Sequence, residues 1–242
     1  MIPARKNAWF ERLFAVYNRN LLARRFEGLR VAGLEHLRNR PTDAPLLLYA
    51  NHSSWWDGLV AFQLGRASAL AQYVLMEERQ LKAYPLFRRL GAFSIERQSA
   101  REALRSIEYA ASLLRGTTRA LWIFPQGETF ANDTRPLKLY AGAARIIELA
   151  GTAYAAPVAM RYEFLGDFRP EAFARVGALE PVTITCKPEV KDATKRFADA
   201  LTRTLDAVCD DILQARMKDY EEIVAPRRRR KSQISKARAH GL

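Results

Sequence analysis

Apolar positions along the chain change their period several times, and the changes divide it into alternating elements. Over residues 7–29, Trp9, Phe10, Leu13, Phe14, Tyr17, Leu21, Leu22 and Phe26 recur at helical spacing, with Arg12, Arg19, Arg24 and Arg25 between them. This predicts an amphipathic helix with an aromatic face beside a basic one, the pattern of helices that lie in a membrane interface. The same apolar face suits packing on the chain's own domain. Residues 45–50 (PLLLYA) form a continuous apolar run and predict a buried strand. A helix over 57–64, a strand over 70–76, a short helix or turn over 84–90 and a short strand over 92–95 follow. Ser99 and Glu102 have capping-box spacing; Leu104, Ile107, Ala111 and Leu114 then make one apolar face, and Gly116 ends that helix. Residues 119–124 predict a strand stopped by Pro125, residues 139–149 a helix ended by Gly151, and residues 154–164 a long strand. One or two more strands fall within 173–187. A long helix over 192–222 shows one face of Phe197, Leu201, Leu205, Val208 and Ile212.

Strands alternating with helices imply an α/β fold: a mixed, largely parallel sheet flanked by helices on both faces. The chain then divides into an amphipathic, membrane-associating segment (1–30), a globular domain (31–225) ending in a helix, and a basic tail (226–242). A length of 242 residues suits one such domain, and an apolar content of 49% supplies its core.

Charge adds a partner to this picture. Lysine and arginine number 39 against 26 acidic residues, a net +13, which points to nucleic acid, an acidic lipid surface or a charged substrate. The excess is concentrated after Pro226, where Arg227, Arg228, Arg229, Arg230, Lys231, Lys236 and Arg238 occur with no acid among them; this reads as a solvated, disordered arm. No nucleic-acid recognition motif accompanies the charge, so no specific nucleic acid is expected, although a basic membrane- or nucleic-acid-binding protein without catalysis is the alternative reading. Anionic lipid accounts for the charge equally well. Two cysteines, Cys186 and Cys209, are too few and too badly spaced for a zinc site or a disulfide framework, which fits a reducing, cytoplasmic setting. No run approaches the 18 or so apolar residues of a spanning helix, and no secretory core is visible. The expected location is peripheral, on the inner face of the cell membrane.

Of the three histidines, His36 and His240 lack a charged setting. His52 ends the first apolar strand, in Asn51-His52-Ser53-Ser54-Trp55-Trp56-Asp57. Ligands of open α/β sheets bind outside the carboxyl ends of strands. A turn after His52 brings Asp57 to the next helix start, from where its carboxylate can hold one imidazole nitrogen and leave the other free to take a proton. The competing readings are a histidine that merely caps a loop, and a covalent route through Ser53 or Ser54, which suit turn and capping positions equally.

His-x4-Asp within NHSSWWD resembles the first signature of the glycerolipid acyltransferases, the family of 1-acylglycerol-3-phosphate acyltransferase. Three more blocks stand in family order. Gly91-Ala92-Phe93-Ser94-Ile95-Glu96-Arg97 is similar to the second, Phe124-Pro125-Gln126-Gly127-Glu128-Thr129 to the third (F-P-E-G-T-R), and Ala156-Pro157-Val158-Ala159-Met160 to the fourth. The resemblance spans roughly residues 45–165 and rests on the order of all four blocks. It implies acyl transfer from acyl-CoA or acyl carrier protein to a lysophospholipid or other lipid hydroxyl, with His52 as general base oriented by Asp57 and no metal or bound cofactor. It also implies Arg97 as a binder of an acceptor phosphate, the residues 124–129 turn as substrate-binding and a source of oxyanion donors, and Lys138 as added charge nearby. The third block departs from the pattern: Gln126 replaces the glutamate, Glu128 the threonine and Thr129 the arginine. That weakens the expectation of a phosphate-bearing acceptor and leaves the proton chemistry of His52 and Asp57 intact.

Overall fold

A computed structural model describes residues 1–227. Helix α1 (Ala8–Arg25) leads into strand β1 (Leu29–Ala32) and a short α2 (Leu34–Arg38). Strands and helices then alternate: β2 (Leu46–Ala50), α3 (Asp57–Ala67), β3 (Gln72–Glu77), α4 (Glu78–Ala83) with a 3-10 turn (Pro85–Leu90), β4 (Ala92–Ile95), α5 (Ala100–Leu114), β5 (Ala120–Ile123), α6 (Gly142–Ala150) and β6 (Thr152–Glu163). Strands β7 (Glu171–Val176) and β8 (Glu180–Thr183), helix α7 (Lys187–Leu213) and strand β9 (Tyr220–Val224) complete the described chain.

The sheet order is β4-β3-β5-β2-β6-β7-β1-β9, with β8 paired to β6. Strands β4, β3, β5, β2 and β6 run parallel to one another, and β1 runs parallel to β7. The pairs β6–β7, β6–β8 and β1–β9 are antiparallel. This is the mixed, largely parallel sheet that the alternating pattern predicts.

The apolar run of β2 is explained by its place. Strand residues alternate between faces, and both faces of β2 are covered. Leu46, Leu48 and Ala50 join a core with Phe26, Leu64 of α3 and Trp122 of β5. Leu47 and Tyr49 join a second core with Leu114 of α5, Ile147 of α6 and Phe197 of α7. Each fully buried leucine contributes about 1.5–3 kcal/mol, so a strand buried on both sides has no room for polar alternation. Helix α5 starts as the capping box predicts, with the Ser99 hydroxyl accepting the Glu102 amide at 3.3 Å.

Several boundaries differ from the sequence reading. The helix predicted over 192–222 is α7, which starts at Lys187 with a proline in its first turn and ends at Leu213. Ala215 adopts a left-handed φ of 51°, which stops the helix. Beyond it, Tyr220 and Val224 are buried and β9 pairs with β1. The first helix ends at Arg25, because Leu29 is needed in β1. Residues 137–141 are loop, not helix, since the Tyr140 amide donates to the Pro125 carbonyl at 2.8 Å and ties that segment to the turn after β5. Residues 1–30 are packed into the main core through Leu22 and Leu29, both 0% exposed, and Phe26. Of the basic tail, Arg227 is described, its amide bonded to the Ala23 carbonyl at 2.9 Å; the rest of that prediction lies outside the described residues.

Candidate active site

Strand β2 lies between β5 and β6, parallel to both, so the chain leaving these three strands converges at one end of the sheet. Asn51 extends β2 by one residue with its side chain. Its Oδ1 accepts the Met160 amide at 2.7 Å, and its Nδ2 donates to the Met160 carbonyl at 2.9 Å and to Asn132 Oδ1 at 3.0 Å. His52 follows, with both backbone groups tied to the segment after β5. Its amide donates to Gln126 Oε1 at 2.7 Å, and its carbonyl accepts the Phe130 amide at 2.8 Å.

The imidazole is held next. His52 Nδ1 lies 2.7 Å from Asp57 Oδ2, and the ring rests against Phe124 at a centroid distance of 4.8 Å. Asp57 is fully buried and opens α3, where the helix N-terminus favours a negative charge. The same Oδ2 accepts the amides of Ser53 at 2.7 Å and Ser54 at 2.9 Å. The five-residue turn is thus wound around the carboxylate. A carboxylate can only accept, so Nδ1 carries the proton and Nε2 has the free lone pair. His52 itself lines a cavity of about 980 Å³. An imidazole oriented in this way can accept a proton from a hydroxyl and return it to a leaving group.

The cavity runs from His52 past Leu59, Phe62, Met76 and Leu90 to Phe14 of α1. Phe14 meets Phe62 edge-on at 5.1 Å and Phe87 at 6.1 Å. A pocket that combines apolar side chains with a few charged ones is a usual form of site for a ligand with both apolar and polar parts.

The predicted binding residues divide. Arg97, Phe124, Pro125, Gly127, Glu128 and Thr129 line the cavity together with His52. Gln126 is buried and turned away to hold the His52 amide, while exposed Lys138 is not among the lining residues. Arg97 is paired: its Nη2 lies 2.8 Å from Glu77 Oε2, and its guanidinium sits 5.7 Å from the centre of the Tyr140 ring. Gly127 has a φ of 78°, and a Cβ there would come within 2.3 Å of Arg97 Nη1. Its amide donates to the Phe124 carbonyl at 3.0 Å, which closes the turn. Neither Ser53 nor Ser54 lines the cavity, and the Ser54 hydroxyl accepts the Trp56 amide at 3.3 Å.

The sequence reading missed Asn51, Gln126 as an anchor, Glu77 and Tyr162, whose hydroxyl donates to Asp57 Oδ1 at 2.7 Å. Asn51 and Gln126 stood within recognised blocks; Tyr162 is 105 residues from Asp57, with no local pattern to connect them.

A model of the family described as "Acyltransferase" matches residues 28–161, more than half of the chain, with β2 and β5 whole and β6 as far as Arg161. The chain belongs to the acyltransferase family. It is 29% identical over 149 residues to a 1-acyl-sn-glycerol-3-phosphate acyltransferase of Streptococcus pneumoniae, a match that covers 58% of this chain and 52% of that protein. It is 30% identical over 206 residues to a lyso-ornithine lipid O-acyltransferase of Brucella abortus, covering 80% of this chain and 71% of that protein. The chain thus spans about half the length of the first relative. In this acyltransferase, Gln126 stands where the family resemblance gives glutamate, and it keeps the feature used here, a side-chain oxygen that accepts the His52 amide.

Proposed function

We propose that this acyltransferase moves a fatty acyl group from a CoA or carrier-protein thioester to the hydroxyl of a lysolipid. The observation that carries the reading is the His52–Asp57 pair, 2.7 Å apart, with His52 in the wall of a cavity of about 980 Å³. The acceptor hydroxyl gives its proton to His52 Nε2 as its oxygen attacks the thioester carbonyl. Collapse of the tetrahedral intermediate breaks the C–S bond, and the imidazolium returns the proton to the departing thiolate. Asp57 keeps the ring oriented and offsets its charge. Because the Gly127 amide is engaged in the turn, the amides of Glu128 and Thr129 are the better candidates for oxyanion donors. This route requires no metal and no bound cofactor.

The acceptor we favour bears an amine rather than only a phosphate. Arg79, Arg97 and Arg145 line the cavity beside Glu77 and Glu128, so the choice rests on the third block, where Glu128 and Thr129 stand in place of the threonine and arginine of the family pattern. The Brucella relative's name supports this choice. Incubated with an acyl thioester, the chain should consume it faster with lyso-ornithine lipid than with lysophosphatidate. Faster turnover of lysophosphatidate would reverse the acceptor assignment. Thioester stability with every lysolipid would remove the enzymatic reading in favour of a lipid-binding protein.

The same reading places the chain on an anionic membrane, at the inner face. Among the described residues, no helix is long and apolar enough to cross one. The inward side of helix α1 carries two buried polar residues beside Phe14 and Leu22. Glu11 is buried near Lys6 and Arg66, and buried Asn18 donates to the Leu59 carbonyl at 3.0 Å. Four large apolar side chains face outward, with Trp9 71%, Leu13 54%, Val16 62% and Tyr17 58% exposed, and Arg12 and Arg19 beside them. Tyr84 and Leu86 continue this surface from the neighbouring 3-10 turn. Replacing Trp9, Leu13 and Val16 by serine should lower partition onto anionic vesicles about tenfold or more, with the melting temperature unchanged. Unaltered partition would remove α1 as the anchor. Deleting residues 1–30 is no test, because it strips Leu22, Phe26 and Leu29 from the core.

A further inference from the structure

The two oxygens of Asp57 have different partners. Oδ2 serves His52 Nδ1 and the amides of Ser53 and Ser54. Oδ1 accepts from the Tyr162 hydroxyl at 2.7 Å. Tyr162 stands near the end of β6, where it is paired with Ala172 of β7, and its ring lies 5.5 Å from that of Phe26. It is not among the residues that line the cavity. Whatever it does for the reaction must therefore pass through Asp57.

We propose that Tyr162 is a positioning residue for the acyl transfer, whose O–H fixes the rotation of the Asp57 carboxylate so that Oδ2 faces His52. Rotation about the terminal bond of an aspartate is soft, because such torsions have broad, two-fold wells. Two amides and an imidazole gather at one oxygen, and a donor at the other is what makes one orientation unique. Burial and the neighbouring Asp57 charge hold the Tyr162 phenol far above its usual range, so it stays protonated and can only donate to the carboxylate. Its second effect concerns the proton. By occupying Oδ1 it leaves Oδ2 facing His52 Nδ1, so the carboxylate lies beside the ring when the imidazolium forms and gives its proton to the leaving thiolate.

The inference rests on the acyl-transfer reading above and competes with a plainer one, in which Tyr162 is a core aromatic whose hydroxyl happens to be satisfied. The Tyr162→Phe variant separates them, since it keeps the ring and removes one oxygen. With saturating thioester and lysolipid, kcat should fall roughly tenfold, the loss expected for a hydrogen bond to a charged group. KM for both substrates should stay within about twofold, because Tyr162 touches neither. In an Asp57→Asn background the same substitution should have no further effect on kcat, because the carboxylate through which it acts is gone. Phe26→Leu is the packing control: it loosens the ring contact, lowers the melting temperature and should leave kcat near normal. An unchanged kcat in Tyr162→Phe, an equal fall in the Asp57→Asn background, or an equal fall in Phe26→Leu would each overturn the inference. A wild-type chain that transfers no acyl group would instead sink the acyl-transfer reading itself.

Discussion

Replacing His52 by alanine is expected to lower acyl transfer by about a thousandfold or more while the protein stays folded. The fold should survive because the backbone at position 52 is held independently of the ring. Its amide is bonded to Gln126 and its carbonyl to the Phe130 amide, so the loop keeps its path when the imidazole is removed. The ring's own packing is modest: it is part-exposed and touches Phe124 from one side. The loss should therefore appear in kcat, measured by thioester consumption with saturating lysolipid, and not in the thermal melt. A His52→Ala variant with a near-normal rate would end the general-base mechanism, whatever the merits of the family assignment.

Asp57→Asn should be nearly as severe, with a fall of about 10³- to 10⁴-fold in kcat. An amide has one acceptor oxygen where the carboxylate has two. If that oxygen faces His52 and the amides of Ser53 and Ser54, the new NH₂ group faces the Tyr162 hydroxyl, which must turn to accept. If the amide is reversed, its NH₂ meets His52 Nδ1 and forces the proton onto Nε2, so the nitrogen at the cavity is no longer a base. In both cases the imidazolium formed during turnover loses an adjacent negative charge in a buried setting. This change should also cost stability, unlike His52→Ala, because a fully buried group with four partners is altered. A rate within about tenfold of wild type would mean that Asp57 shapes the turn without assisting the base.

How much of this was legible in the sequence depends on the range of each interaction. The His52–Asp57 pair is local: five residues of turn bring the side chains together, and the spacing alone carries the geometry. The runs that became β2 and β5 were equally readable, because strands buried on both faces lose their polar alternation. Helix α5 announced its start through Ser99. Strands β1 and β9 gave no such signal, since each is short, carries charged residues and becomes a strand only by pairing with distant segments, β1 with β7 and β9, and β9 with β1. The start of α6 was misplaced for a related reason. Leu139 and Tyr140 continue an apolar pattern that looks helical, yet the Tyr140 amide is drawn to Pro125. At Gln126 the sequence suggests a lost acid, whereas the structure uses only an oxygen that glutamine retains. Tyr162 belongs to the same class as β9: its role exists only once distant segments meet.

The two strands flanking β2 supply the turn that grips the His52 backbone and the phenol behind Asp57, and all three run through the most deeply buried part of the sheet. Segments of this kind open only when the whole molecule does, unlike surface loops that fray on their own. The groups proposed to handle the proton therefore have no private melting transition. Heat or denaturant removes them together with the molecule as a whole, and substitutions that weaken either core shorten the working lifetime of the catalyst without altering its chemistry while it remains folded.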